Sequence, residues 1–315
     1  MLYEIHFMGL KKKYDIVILT DSRFVNPVGA DEYVQNILLE DNYAKEALER
    51  RGLRVGRTNW DNSEFDWTKT EYTIFKTTWD YFNRYEEFSK WLDEVSKKTK
   101  LINRIETIRW NADKHYLLDL KNSGVNIPKT IFIEKGDERG LTDIFLNSGW
   151  IDSILKPVVS GGGRHTYKID RVNVFEYEKN YRELIEKEGM MLQEFQYSVL
   201  KEGEKTFVVF GGKFSHAVLK KAKAGDFRVQ DDFGGTVHKY DASAEEIEFA
   251  ERVVSMCNPF PVYGRVDAIK DNDGNLAVSE LELIEPELWF RTKPKSAEMY
   301  AEAVLEEMVK NSKSM

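Results

Sequence analysis

The connections between candidate strands change character part-way along this chain, and that change limits the fold more than any other feature. As far as about residue 105, apolar and β-branched runs are separated by segments of helical length. "YDIVILT" (14–20) is followed by a helical pattern over 31–51 that "RRG" closes, then by "RVGRT" (54–58), "YTIFK" (72–76) and the amphipathic "RYEEFSKWLDEVSKK" (84–98). Strands joined through helices run parallel and are covered on both faces. Later strands return through tight turns: "SGGGRHT" inside 152–169, "GGK" inside "KTFVVFGGKFSHAVLKK", and "DNDG" inside "YGRVDAIKDNDGNLAVSELELI". Such returns make antiparallel hairpins. The expected fold class is therefore α/β followed by α+β. A doubly wound domain spans 1–106, a small α+β segment with the glycine-rich loop spans 107–189, and a larger antiparallel-sheet domain spans 190–315. Helices at 111–123, near 178–188 and after 296 complete the pattern.

The 315 residues suffice for two or three domains, and 42% hydrophobic with 32% charged residues is a globular balance. A formal net charge of -8 without a long basic run argues against a nucleic-acid partner. The single cysteine, Cys257, excludes an intramolecular disulfide and a cysteine-rich zinc site, which fits a cytoplasmic protein. No apolar run approaches the ~20 residues that span a bilayer, so no membrane partner is expected. In "MLYEIHFMGLKKKYDIVILT" the basic cluster follows the apolar residues, so no signal peptide is read. Residues 1–12 are expected to be a loose extension.

"AVSELELIEPE" (277–287) places Glu280 and Glu282 on one face of a strand, about 7 Å apart. At an effective dielectric of ~20 their repulsion is roughly 2 kcal/mol. With a two- or four-residue turn at "DNDG", Arg265 and Asp267 share that face and Val266, Ala268, Leu281 and Leu283 share the other; a three- or five-residue turn separates the acids. Three carboxylates and an arginine form a hard-oxygen cage suited to Mg²⁺. The competing reading is a solvated face on which the acids meet Lys and Arg from neighbouring strands.

In "LKPVVSGGGRHT" (155–166), three glycines precede Arg164 and His165. A loop of this kind can approach a polyphosphate and offer backbone N–H groups. It has neither a P-loop ending nor a dinucleotide fingerprint, and a glycine-rich hairpin turn is the commoner explanation of such a loop. Lys156 lies in an apolar strand and needs an anion or must snorkel. Lys114 lies in "WNADKHYLL", on a helix that Asn111 opens. "MMLQEF" is either a core strand or an adenine edge. Lys220 and Arg228 are candidates for phosphate or substrate carboxylate, or belong to a surface cluster.

Taken in order, "DK" at Lys114, "LKP" at Lys156, the glycine loop, "LQEF", "GEKTFVVFGGKFSHA", "GDFRVQ", "GRVDAI" and "ELELIEP" resemble the ATP-grasp superfamily over nearly the whole chain. "GGKFSHAVLKKAKAGDFRVQ", "ELELIEPEL" and the segment 60–92 are most similar to a glutathione-synthetase-like branch that includes the O-ureidoserine cyclo-ligase of cycloserine biosynthesis. The resemblance implies an N-terminal pre-domain and two α+β lobes that hold ATP. It implies that Lys114 and Lys156 contact phosphates, that 160–165 (with Gly161, Gly162, Gly163 and Arg164) form a lid, and that Gln193, Glu194 and Phe195 line the adenine hinge near Glu204. Asp267, Glu280 and Glu282 fall on Mg²⁺ positions; Arg265, Arg228 and Lys220 fall on catalytic phosphate or substrate contacts. Glu282 stands where many relatives have asparagine, and Lys76 where relatives are expected to carry arginine.

The implied activity is ATP- and Mg²⁺-dependent carboxylate–amine ligation, or its cyclising form, through an acyl phosphate. The substrate is an amino acid or small carboxylic acid, and the protein a monomer or homodimer. A phosphotransferase that stops before condensation and a non-catalytic nucleotide sensor are the alternatives. Asp21, Ser22, Arg23 and "TTWDY" are expected to shape the acceptor site, with Trp79 and Tyr81 as core residues in the competing reading. No protein nucleophile is needed, so Cys257 is read as structural.

Overall fold

Strands and helices alternate through the first hundred residues of the computed structural model, which describes residues 12–229 and 233–313. β1 (Tyr14–Thr20), α1 (Glu32–Glu49), β2 (Val55–Asn59), β3 (Thr70–Thr77), α2 (Tyr85–Val95) and β4 (Lys100–Ile102) build a parallel sheet in the order β2-β1-β3-β4. Ile16, Val17, Ile18 and Leu19 are all buried, as a central parallel strand covered on both faces requires. α1 starts where the Asp31 side chain accepts the Val34 N–H at 2.9 Å. α2 buries Phe88, Leu92 and Val95, which recur along one helical face.

The next elements are α3 (Ile105–Ala112), α4 (Tyr116–Asn122), β5 (Thr130–Ile133), α5 (Leu141–Ser148), β6 (Asp152–Pro157), β7 (Tyr167–Asp170), α6 (Val174–Ile185) and β8 (Met190–Glu194). They are followed by α7 (Ser198–Lys201), β9 (Glu204–Phe210), β10 (Lys213–Lys221), β11 (Thr236–Tyr240), α8 (Ala244–Ser255), β12 (Tyr263–Lys270) and β13 (Leu276–Glu282). Two sheets result, β5-β8-β6-β7 and β11-β10-β9-β12-β13. The strands around the glycine loop and both later hairpins are antiparallel, as their turns predict.

Three features differ from the sequence expectation. The helix expected over 111–123 is two helices broken at 113–115, where Asp113 Oδ1 accepts the His115 N–H at 2.9 Å and the Lys114 N–H leaves to Val158 O at 2.9 Å. Asn111 therefore ends a helix instead of opening one. The strand at 190–194 belongs to the sheet of the preceding segment, because β8 pairs with both β5 and β6. The chain also divides differently: residues 106–283 form one compact unit, while 284–313 pack with 12–105. α9 (Ser296–Lys313) lies against α1 in that first unit. The expectation for residues 1–12 falls almost wholly outside the described residues.

Candidate active site

Four adjacent strands of the five-stranded sheet, β10-β9-β12-β13, carry one charged face. β9 supplies Glu204 and Thr206, β10 Lys220, β12 Arg265 and Asp267, and β13 Glu280 and Glu282; Arg265 lies opposite Glu282 and Asp267 opposite Glu280. Ligand oxygens of Asp267, Glu280 and Glu282 lie within 4.8 Å of one another. Val266, Ala268, Leu281 and Leu283 are buried on the opposite face.

The turn does not account for this register. Residues 271–275 separate the strands and Lys270 pairs with Leu276, the odd-length arrangement that keeps the acids apart. A bulge restores the shared face: the pairing slips between Asp267 and Ala268, leaving Ser279 as an extra residue on β13. Ser279 Oγ donates to Glu204 Oε2 at 2.7 Å. The bulge thus aims Glu280 and Glu282 at Asp267 and ties the strand to the acid on β9.

Cations from the same unit balance the acids. Lys114 Nζ lies 2.9 Å from Glu280 Oε1, and Lys220 Nζ lies 2.5 Å from Glu204 Oε1 and 3.0 Å from Asp267 Oδ2. Arg265 pairs with Asp267 at 2.7 Å and also with Glu282. Thr206 Oγ1 donates to Asp267 Oδ1 at 2.6 Å. Burial favours protonated Asp267, but Arg265 and then Lys220 hold its carboxyl well below the usual range. Burial likewise opposes ionisation of Glu280, and Lys114 followed by Lys156 outweighs it. Desolvation pulls the Lys156 ammonium down despite Glu280, whereas Asp267 and Glu204 overcome it at Lys220 and raise that pKa. The Lys156 ammonium, on β6, makes no ion pair or hydrogen bond with a described residue, so its charge is available to an anion. Lys114, Lys156, Lys220 and Arg265 formally cancel Glu204, Asp267, Glu280 and Glu282. This balance is how the protein tolerates its acidic strand.

Above this face an open cleft lies between the two sheets. Lys114, Lys156, Gly161, Gly162, Gly163, Gln193, Glu194, Phe195, Glu204, Arg228 and Glu280 all line it. Ile154, Val199 and Ile269 add apolar surface suited to a flat heterocycle. Gln193 gives its amide to Thr130 Oγ1 at 3.0 Å, and Glu194 lies 3.6 Å from Lys129. Lys114 Nζ donates to Ser160 O at 2.6 Å, joining the start of the glycine loop to the acidic face. Gly163 has φ +70°, and a Cβ there would lie 2.9 Å from the Phe233 ring, so the loop needs glycine at this point. Arg228 stacks 3.7 Å over Phe233 and pairs with Asp226, holding that carboxyl down to about 2. Arg164 is directed elsewhere: its guanidinium makes two 2.7 Å hydrogen bonds to Glu188. Thr206 was not singled out by the sequence, although period-two alternation from Glu204 puts it on the same face. Nothing in the sequence announces the Ser279 bulge.

In the first unit Asp21 is buried and pairs with Arg23 at 2.6 Å. Tyr81 is a core residue packed on Phe88, and half-buried Trp79 donates to Glu285 O at 3.0 Å. Lys76 is fully buried against Glu40 at 3.2 Å. Cys257 is buried, and its thiol is pushed up to about 12 by that burial.

Residues 125–278 match the family described as prokaryotic glutathione synthetase, ATP-grasp domain, and residues 16–103 match the N-terminal domain of D-cycloserine synthetase DcsG. The chain has the ATP-grasp fold, with an ATP-grasp domain over residues 125–278. Cycloserine biosynthesis protein DcsG of Streptomyces lavendulae is 28% identical over 278 residues, covering 84% of this chain and 92% of that protein. The crystal structure of D-cycloserine synthetase DcsG superposes with a TM-score of 0.82 at 25% identity, covering 93% of this chain and 99% of the other. D-alanine–D-alanine ligase from Bacillus anthracis, solved with ATP, gives a TM-score of 0.64 at 14% identity, covering 96% and 99%; at that identity the likeness concerns the fold. The protein is an ATP-grasp ligase, of the class that forms C–N bonds. No helix among the described residues of this ATP-grasp protein is long and apolar enough to cross a membrane.

Proposed function

We propose that this ATP-grasp ligase uses Mg²⁺ and ATP to activate the carboxylate of an amino acid or small peptide-like acid as an acyl phosphate, which an amine then attacks. The observation that carries this reading is the carboxylate triad within 4.8 Å, bordered by Lys114, Lys156, Lys220 and Arg265 beside the cleft. Asp267, Glu280 and Glu282 offer only hard oxygen donors, the set that suits Mg²⁺. When bound, Mg²⁺ would neutralise charge on the transferring phosphoryl group. Lys114 and Lys156 hold phosphate oxygens, and Arg265 and Lys220 keep the acids ionised. Residues 160–163 cover the cleft and keep water from the acyl phosphate. Apolar Ile154, Phe195 and Ile269 receive the adenine.

In the first step a substrate carboxylate oxygen bonds to the γ-phosphorus and ADP departs. In the second the amine nitrogen bonds to the acyl carbon, phosphate departs and the amine proton is released. Similarity to a cycloserine biosynthesis protein favours the narrower form in which both groups belong to one molecule.

The test is incubation with Mg²⁺-ATP and pooled amino acids or their derivatives, following ADP, phosphate and new masses together, with Glu280→Gln as control. The expected result is substrate-dependent release of ADP and phosphate with a product one water lighter than its precursors, reduced at least ~100-fold in the variant. A single substrate sufficing identifies cyclisation. A stable phosphorylated product without condensation would instead identify a phosphotransferase.

A further inference from the structure

β13 is the last strand of its sheet, so one edge of its backbone faces no other strand among the described residues. At the segment bearing Glu280 and Glu282, two side chains do the work of a neighbouring strand. The Tyr116 hydroxyl accepts the Leu281 N–H at 2.9 Å, and Asn111 Nδ2 donates to Leu281 O at 2.8 Å. Asn111 Oδ1 accepts the Leu283 N–H at 2.7 Å. Both side chains are buried, at 7% and 2% exposure for Asn111 and Tyr116, so water does not replace these bonds cheaply. Leu281 lies between the two glutamates. Its peptide groups cannot rotate without swinging both carboxylates, and the side-chain ties prevent that rotation. The stretch 111–116 also supplies Lys114, which holds Glu280 by its carboxylate. One short segment therefore fixes the acidic strand by backbone and by charge.

We propose that Asn111 and Tyr116 are positioning residues that hold the β13 backbone so that Glu280 and Glu282 converge on one cation with Asp267. The proposal rests on the metal reading above and adds residues that contact neither metal nor substrate. Hydrogen bonds around ligating carboxylates typically govern metal affinity by about 10- to 100-fold.

The test uses the full chain, Tyr116→Phe, Asn111→Ala, and Val253→Ala as a core variant of the same unit away from β13. Backbone hydrogen exchange is measured in metal-free protein, and Mn²⁺ affinity by electron paramagnetic resonance with a non-hydrolysable ATP analogue present. The expected result is lost amide protection at Leu281 in Tyr116→Phe and at Leu283 in Asn111→Ala. Mn²⁺ affinity should fall about tenfold in both, while the analogue's metal-free affinity holds and Val253→Ala leaves Mn²⁺ affinity unchanged. Lost protection with unchanged Mn²⁺ affinity overturns the proposal, as does an equal loss in Val253→Ala. If the unaltered protein binds no Mn²⁺ beyond that held by the analogue, the metal reading itself has failed, and the proposal with it; intact exchange differences would distinguish that outcome.

Discussion

Lys76 is a charge with no access to water, and its surroundings explain why it is retained. Its ammonium lies 3.2 Å from Glu40 Oε1, 3.4 Å from Pro286 O and 5.2 Å from the Phe290 ring centre. Glu40 in turn accepts the Leu288 N–H at 2.7 Å and the Phe290 N–H at 2.9 Å. The pair thus pins residues 286–290 to the parallel sheet. Removing one member of a buried pair leaves an uncompensated charge, a loss of about 3–5 kcal/mol. Lys76→Met should show that loss in urea denaturation, and adding Glu40→Gln should recover part of it. A change under about 1 kcal/mol in the single variant would sink this account. From the sequence, Lys76 is only a departure from the arginine expected in relatives, since neither its burial nor its long-range partner is visible there. Lys156 is legible as a cleft residue because it interrupts an apolar strand and needs an anion, whereas Lys114, among polar neighbours, is marked only by the family resemblance.

Among elements, the β12–β13 hairpin separates what pattern can reveal from what it cannot. Alternation correctly assigns apolar and charged faces along each strand, because side chains alternate with a period of two. Register between the strands depends on the turn and on the unsignalled bulge at Ser279, which no alternation records. The helix break at 113–115 was missed for a related reason: a local Asx-type bond and a distant carbonyl on Val158 outcompete one turn of helix. The α1–α9 contact is another long-range arrangement. Arg50 and Arg51 at the end of α1 meet Glu298 in the first turn of α9, with Arg50 Nη2 at 2.7 Å, and each charge suits its helix terminus. Bonds from Arg51 and Arg50 depress the Glu298 pKa below its ordinary value of 4.5. A depressed carboxylate stabilises the fold above its unfolded pKa, and that contribution is lost as pH falls through the folded value. Because the group is largely exposed, Glu298→Gln should cost about 1 kcal/mol or less at pH 7. The difference from the unaltered protein should shrink below pH ~4, when thermal melts are compared across pH. A difference that persists undiminished at pH 3 would refute the ionic account.

At the scale of the whole chain, the parallel and antiparallel sheets were readable from their connections, but the compact units were not. Residues 284–313 follow directly on the acidic strand, and only their packing against 12–105 assigns them to the first unit. Their apolar side chains include Leu288, Trp289, Phe290, Tyr300 and Val304, each at most 2% exposed. At roughly 1.5–3 kcal/mol per buried side chain, these five contribute about 8–15 kcal/mol before the entropy of ordering the segment. That is comparable with the whole stability of an ordinary domain, about 5–15 kcal/mol. The first unit should therefore not fold without its C-terminal segment, whereas 106–283 is continuous and contains every residue named in the cleft. A fragment spanning 106–283 should unfold cooperatively and bind a fluorescent ATP analogue, with binding weakened by Lys156→Ala. A fragment ending at 105 should lack a cooperative melt, and joining 284–313 to it through a flexible linker should restore one. If the shorter fragment melts cooperatively on its own, the C-terminal segment decorates the parallel sheet; if only the joined form does, that segment completes its core.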